Sequence, residues 1–135
     1  MIPSKPVKKV LIVDDDAGIR ESVRLALQDL DFLEIEVTEC SDVASGIKQL
    51  KKVKPDMVIL DLHMGDKSGF DFMRIMHEIK TITFPKIIML TADDNLENVY
   101  NAEDTGIEAH YFLGKPFNIE DLQSLVFDIG LSKKS

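Results

Sequence analysis

Six polar residues in this 135-residue sequence stand where short apolar runs stop. Val10-Leu-Ile-Val13 runs into Asp14-Asp15-Asp16, and Met57-Val-Ile-Leu60 into Asp61. Ile87-Ile-Met-Leu90 runs into Thr91-Ala92, and Tyr111-Phe-Leu113 is followed, after Gly114, by Lys115-Pro116. Carboxylates brought to one spot raise one another's pKa unless a cation joins them. A hard divalent ion with oxygen ligands does this, and Mg²⁺ takes one or two carboxylates while keeping several waters. The bland alternative is a set of solvated acids opening a helix, and Asp16 is read as such a cap. Asp61, at the matching end of another buried run, favours the metal reading for Asp14 and Asp15. A carboxylate can also attack phosphorus to give an acyl phosphate. That reaction needs its developing charge neutralised by metal and by cationic or hydrogen-bonding groups. Thr91 offers a hydroxyl and Lys115 an ammonium. Each is ordinary alone; an acid pair, an acid, a hydroxyl and a lysine at successive strand ends are specific together.

The elements that would position these groups alternate along the chain. Three of the runs are continuously apolar, as strands are when helices cover both faces of a parallel sheet. Glu34-Ile-Glu-Val-Thr-Glu39, around the run Ile35–Val37, alternates instead, which predicts an edge strand. Helical stripes lie between the runs: Ile19, Val23, Leu27 and Leu30; Val43, Ile47 and Leu50; Met73, Met76 and Ile79; Ile119, Leu122, Val126 and Ile129. Asn118 is a plausible N-cap for the last, and Gly130 sits where its C-terminal cap belongs. Asn95–Thr105 has the poorest stripe. Five βα units predict an α/β fold, a doubly wound five-stranded parallel sheet in flavodoxin-like order 2-1-3-4-5 with right-handed crossovers. Ligands of such sheets bind at the carboxyl ends of strands beside the reversal of strand order. The first and third strands flank that reversal, and both end in acids.

Leu11-Ile-Val-Asp-Asp-Asp16, Val58-Ile-Leu-Asp61, Leu90-Thr-Ala92 and Gly114-Lys-Pro-Phe117 resemble the receiver domains of two-component signalling response regulators, over nearly the whole chain. The resemblance implies a receiver domain over residues 8–131, between a 1–7 lead and a 132–135 tail. It implies Asp61 as phosphoacceptor, and Mg²⁺ (or Mn²⁺) held by Asp14, Asp15, Asp61 and the backbone carbonyl of His63. It further implies phosphoryl contacts from Thr91, Ala92 and Lys115, a cis Lys115–Pro116 peptide, and Phe112 as the aromatic switch. The donor would be a sensor histidine kinase or phosphotransfer protein. The output face would be residues 95–131, reaching a partner or output domain and open to use in a homodimer. One departure stands out: the family's usual proline four residues after the acceptor is Gly65 here, which predicts a looser loop. His63 and Asp93 are expected to rim the pocket mouth. There they could tune hydrolysis of the acyl phosphate, since imidazole is the side chain that most readily changes charge near neutral pH. His77 and His110 read as surface or packing residues.

The chain's net charge of −8, with no Lys/Arg cluster resembling a duplex-binding basic stripe, argues against direct nucleic-acid contact by this domain. No apolar run is long enough for a membrane span, and the lone Cys40 suits a reducing cytoplasm. A haloacid-dehalogenase-type phosphatase would need a second acid two residues after the nucleophile, where His63 stands. A flavin-binding electron carrier would need a Ser/Thr/Gly-rich loop where Asp14-Asp15-Asp16 would repel phosphate. The expected protein is thus regulatory, catalysing only its own phosphorylation and dephosphorylation. The alternative is a receiver-like interaction module that works without phosphorylation.

Overall fold

A computed structural model describes residues 7–30, 34–79, 83–92 and 111–130. Its strands are β1 (Val7–Val13), β2 (Glu34–Cys40), β3 (Met57–Asp61), β4 (His63–Met64), β5 (Lys67–Ser68), β6 (Lys86–Thr91) and β7 (Tyr111–Gly114). Its helices are α1 (Ala17–Gln28), α2 (Val43–Val53), α3 (Gly69–Glu78) and α4 (Ile119–Gly130). The main sheet has five parallel strands in the order β2-β1-β3-β6-β7. This is the doubly wound order expected from the alternation of elements. The pattern of hydrophobicity along each strand explains the order: β3 is buried at every position and lies centrally, while β2 alternates and lies at an edge.

Each face of the sheet has its own core. Leu11, Val13, Val58, Leu60, Ile87 and Met89 point towards α2 and α3, where Leu50, Phe72, Met73 and Met76 meet them. Val10, Ile12, Ile59, Ile88 and Leu90 point the other way, onto Val23 and Leu27 of α1 and Leu122 and Val126 of α4. Burying one such side chain stabilises by roughly 1.5–3 kcal/mol. Phe72, among the largest fully buried side chains, belongs to the α3 stripe that the sequence spacing placed on Met73, Met76 and Ile79. Ile119 departs from its expected stripe and is 47% exposed, because it opens α4 before the helix has reached the sheet.

Helix starts are fixed by polar side chains. Asp16 accepts from the Gly18 and Ile19 N–H groups, and Asn118 from that of Asp121, both as expected. Ser68 and Asp71 form a reciprocal capping box at α3. Gly69, the first residue of α3, is packed so closely that a Cβ would lie 2.7 Å from the Asp61 carbonyl oxygen and 2.6 Å from Met89 Sδ. Glycine therefore lets α3 start directly against the end of β3. No helix among the described residues is long and apolar enough to cross a membrane.

Candidate functional site

Strand register sets the polar ends side by side. Val13 pairs with Leu60, so Asp14 and Asp61 leave neighbouring strands at the same level. Asp61 pairs with Leu90, and Thr91 pairs with Gly114, which places Thr91 and Lys115 next along the same edge. The Lys115 N–H also donates to the Thr91 carbonyl at 2.7 Å, tying the last two strand ends together. Asp14, Asp61 and Thr91 are the buried polar residues among those described, at 0%, 4% and 5% exposure.

Carboxylate oxygens of Asp14, Asp15 and Asp61 lie within 4.8 Å of one another. Lys115 Nζ donates to Asp14 Oδ2 at 2.9 Å and to Asp61 Oδ1 at 3.1 Å. Burial pushes the Asp61 carboxyl up to about 6 from 3.8, the nearby Asp14 charge adds to this, and Lys115 opposes it. Burial also works against the Lys115 charge, yet its hydrogen bond to Asp14 and the charges of Asp14 and Asp61 raise its pKa overall. Three carboxylates against one ammonium leave negative charge uncompensated. A hard divalent cation fits that donor set: Asp14 and Asp61 offer buried oxygen donors, while exposed Asp15 leaves a side open to water.

Other residues singled out from the sequence fall around this cluster. Asp16 turns its carboxylate to the start of α1 and is not in the trio. His63 is exposed, and its N–H donates to Asp61 Oδ1 at 3.3 Å. Ala92 is exposed beside Thr91, and Phe112 is partly buried against the α2–α3 core. The Lys115–Pro116 peptide is cis. His77 is exposed and stacks on Phe84 with ring centroids 6.0 Å apart. Asp93, the Asn95–Thr105 segment and His110 lie outside the described residues.

The loop after Asp61 differs from the looseness expected of it. β4 and β5 pair antiparallel, His63 with Ser68 and Met64 with Lys67, across a Gly65-Asp66 turn. Gly65 has φ +63°, which proline, locked near −65°, cannot adopt. Glycine here specifies a tight turn of its own. Two contributors went unnoticed in the sequence. Gly69 is one, and Arg20 is the other: its Nη1 donates to the Asp14 carbonyl at 2.6 Å. Its place one turn into α1, after the acid triplet, was the available signal.

A family model described as the response regulator receiver domain matches residues 10–127. The probable transcriptional regulator ycf29 of Cyanophora paradoxa is 33% identical over 121 residues, 87% of this chain and 53% of its own length. The phosphate regulon transcriptional regulatory protein PhoB of Klebsiella pneumoniae is 32% identical over 116 residues, 85% of this chain and 48% of its own. The chain thus spans about half the length of these curated relatives. Among solved structures, the chemotaxis response regulator CheY4 of Vibrio cholerae superposes with a TM-score of 0.77 at 31% identity, covering 91% of this chain and 98% of that one.

Proposed function

The chain belongs to the response regulator receiver family, and from that premise we propose that Asp61 accepts a phosphoryl group from a phosphohistidine on a partner kinase or phosphotransfer protein. The observation that carries this reading is Lys115 Nζ bridging Asp14 and Asp61, at 2.9 and 3.1 Å, inside a cluster of three convergent carboxylates. In the reaction an Asp61 oxygen attacks phosphorus, the P–N bond to imidazole breaks, and the imidazole leaves with the electron pair and takes up a proton. Water later attacks the same phosphorus, releasing inorganic phosphate and restoring the carboxylate. Asp14, Asp15, Asp61 and the His63 carbonyl would hold Mg²⁺, which when bound supplies charge neutralisation for the incoming phosphoryl oxygens.

The chain's own residues do the rest. Lys115 transfers its ammonium from the Asp14–Asp61 pair to the phosphoryl group. The Thr91 hydroxyl, at the neighbouring strand end, donates to another phosphoryl oxygen, and the Ala92 N–H lies next to it. Phe112 follows Thr91 inward, and the change passes to the face formed by residues 95–131, where a partner, an output domain or a second copy docks. His63 and Asp93 are the candidates for tuning attack by the hydrolytic water. Because the transcriptional regulators it resembles are about twice as long, exclusion of nucleic acid from charge applies to this chain alone. Transcriptional output would belong to a joined segment or a partner.

Incubation with acetyl phosphate and Mg²⁺, read by intact mass, tests the assignment. Wild type gains one phosphoryl group, and EDTA or Asp61→Asn abolishes the gain. An equal gain in Asp61→Asn removes Asp61 as the acceptor.

A further inference from the structure

Asp14 is held on every side. Its N–H donates to the Cys40 carbonyl at 3.0 Å, and its Oδ1 accepts from the Asp16 N–H at 2.9 Å. Its carbonyl accepts from Arg20 Nη1 at 2.6 Å. Arg20 is itself anchored: Nε reaches Glu39 Oε1 of β2 at 3.3 Å, and the side chain is only 18% exposed. Arg24, one turn further along α1, approaches the other Glu39 oxygen at 3.3 Å. Its Nε finds no aligned hydrogen-bond partner among the described residues. The two arginines share one carboxylate, but the hydrogen bond to the pocket comes from Arg20.

We infer that Arg20 is a positioning residue for the cation site. Its guanidinium fixes the main chain of Asp14, and so the direction in which Asp14 and Asp15 present their carboxylates to Asp61. A guanidinium is a rigid planar fork of donors. One edge takes Glu39 and another takes the Asp14 carbonyl, so helix, edge strand and acid turn are locked by one group. A lysine keeps the charge but carries all its donors on one nitrogen, which cannot span the two contacts that Nε and Nη1 make separately. The inference rests on the Mg²⁺ reading above.

Charge and position act on Mg²⁺ affinity with opposite signs. Removing a cation beside three carboxylates favours a metal ion, while freeing the turn that aims them disfavours it. Calorimetric titration of Mg²⁺ alone into wild type, Arg20→Ala, Arg20→Lys and Arg24→Ala therefore separates the two. Circular dichroism melts establish that each variant is folded at the titration temperature. Arg20→Ala is expected to bind about tenfold more weakly, in line with other groups that orient metal ligands. Arg20→Lys keeps most of that loss and carries the test alone if the alanine variant does not fold. Arg24→Ala stays near wild type.

Unchanged or tighter binding in the Arg20 variants, with wild-type binding intact, overturns this inference and leaves the metal site standing. An equal loss in Arg24→Ala also overturns it, by placing the effect in Glu39 or in general loosening of α1. No binding by wild type overturns the metal reading and this inference together.

Discussion

Asp61 ends β3 and Asp71 sits in the first turn of the next helix, α3, yet folding moves the two carboxyls in opposite directions. Asp61 is buried beside Asp14 and pushed up to about 6. Asp71 accepts the Ser68 N–H at 2.8 Å, pairs with Arg74 at 2.9 Å, and is held below the ordinary carboxylate range by that backbone hydrogen bond above all. Asp42, capping α2, is lowered in the same way by Ser45. Donors surround the capping acids, so their charge supports the fold. At Asp61 burial and the nearby Asp14 charge outweigh the Lys115 and His63 donors, so on balance its charge opposes the fold. The direction of the shift thus separates the capping carboxylates from the one proposed as phosphoacceptor.

The largest effect should come from removing the cation that the pocket already has. Lys115→Met leaves Asp14 and Asp61 facing each other without compensation. Breaking such a buried pair costs about 3 kcal/mol, and urea unfolding in EDTA at neutral pH would measure it. Added Mg²⁺ should recover much of the loss. A variant as stable as wild type in EDTA would mean that the pocket charges are not in conflict.

Asp61→Asn should act with the opposite sign. The folded carboxyl titrates near 6 and the unfolded one near 3.8, so protonation favours the fold. That contribution is fully present below about pH 3.8 and is lost as pH rises through about 6. Metal-free Asp61→Asn should therefore be more stable than wild type at pH 7 by at most about 3 kcal/mol, the shift of Asp61 converted in full. Unfolding measured from pH 3.5 to 7.5 should show this advantage shrinking towards acid. A constant difference across that range would contradict the comparison.

Asp71→Ala should give the smallest change and the reverse pH dependence. Its lowered pKa contributes stability above the ordinary carboxylate value, lost as pH falls through the folded value. Loss of the capping box should cost about 1 kcal/mol at pH 7, with the gap to wild type narrowing in acid. The same unfolding series reads both variants, and curves of the same sign for Asp61 and Asp71 would erase the distinction between pocket and cap.

Several features were legible in the sequence because they depend on near neighbours. The continuous apolar character of Met57–Leu60 and the alternation of Glu34–Glu39 report how many faces of a strand are covered, and the structure puts β3 at the centre and β2 at the edge. Parallel strands in that order bring their carboxyl ends to one edge, so the gathering of Asp14, Asp61 and Lys115 followed from topology alone. Other features depend on distances between segments far apart in the chain. Ile119 fits the α4 stripe by periodicity, but only the packing decides that it stays exposed while Leu122, three residues on, is buried. Gly65 read as freedom, whereas the pairing of β4 with β5 selects one left-handed turn for it. Gly69 is required by Met89 and the Asp61 carbonyl, and Arg20 reaches Asp14 while also held by Glu39 of β2. Sequence fixes which residues can be buried or charged, through period and composition. Which atoms meet is decided by strand register and helix docking, which bring residues together to within a hydrogen bond's reach only when the whole chain has packed.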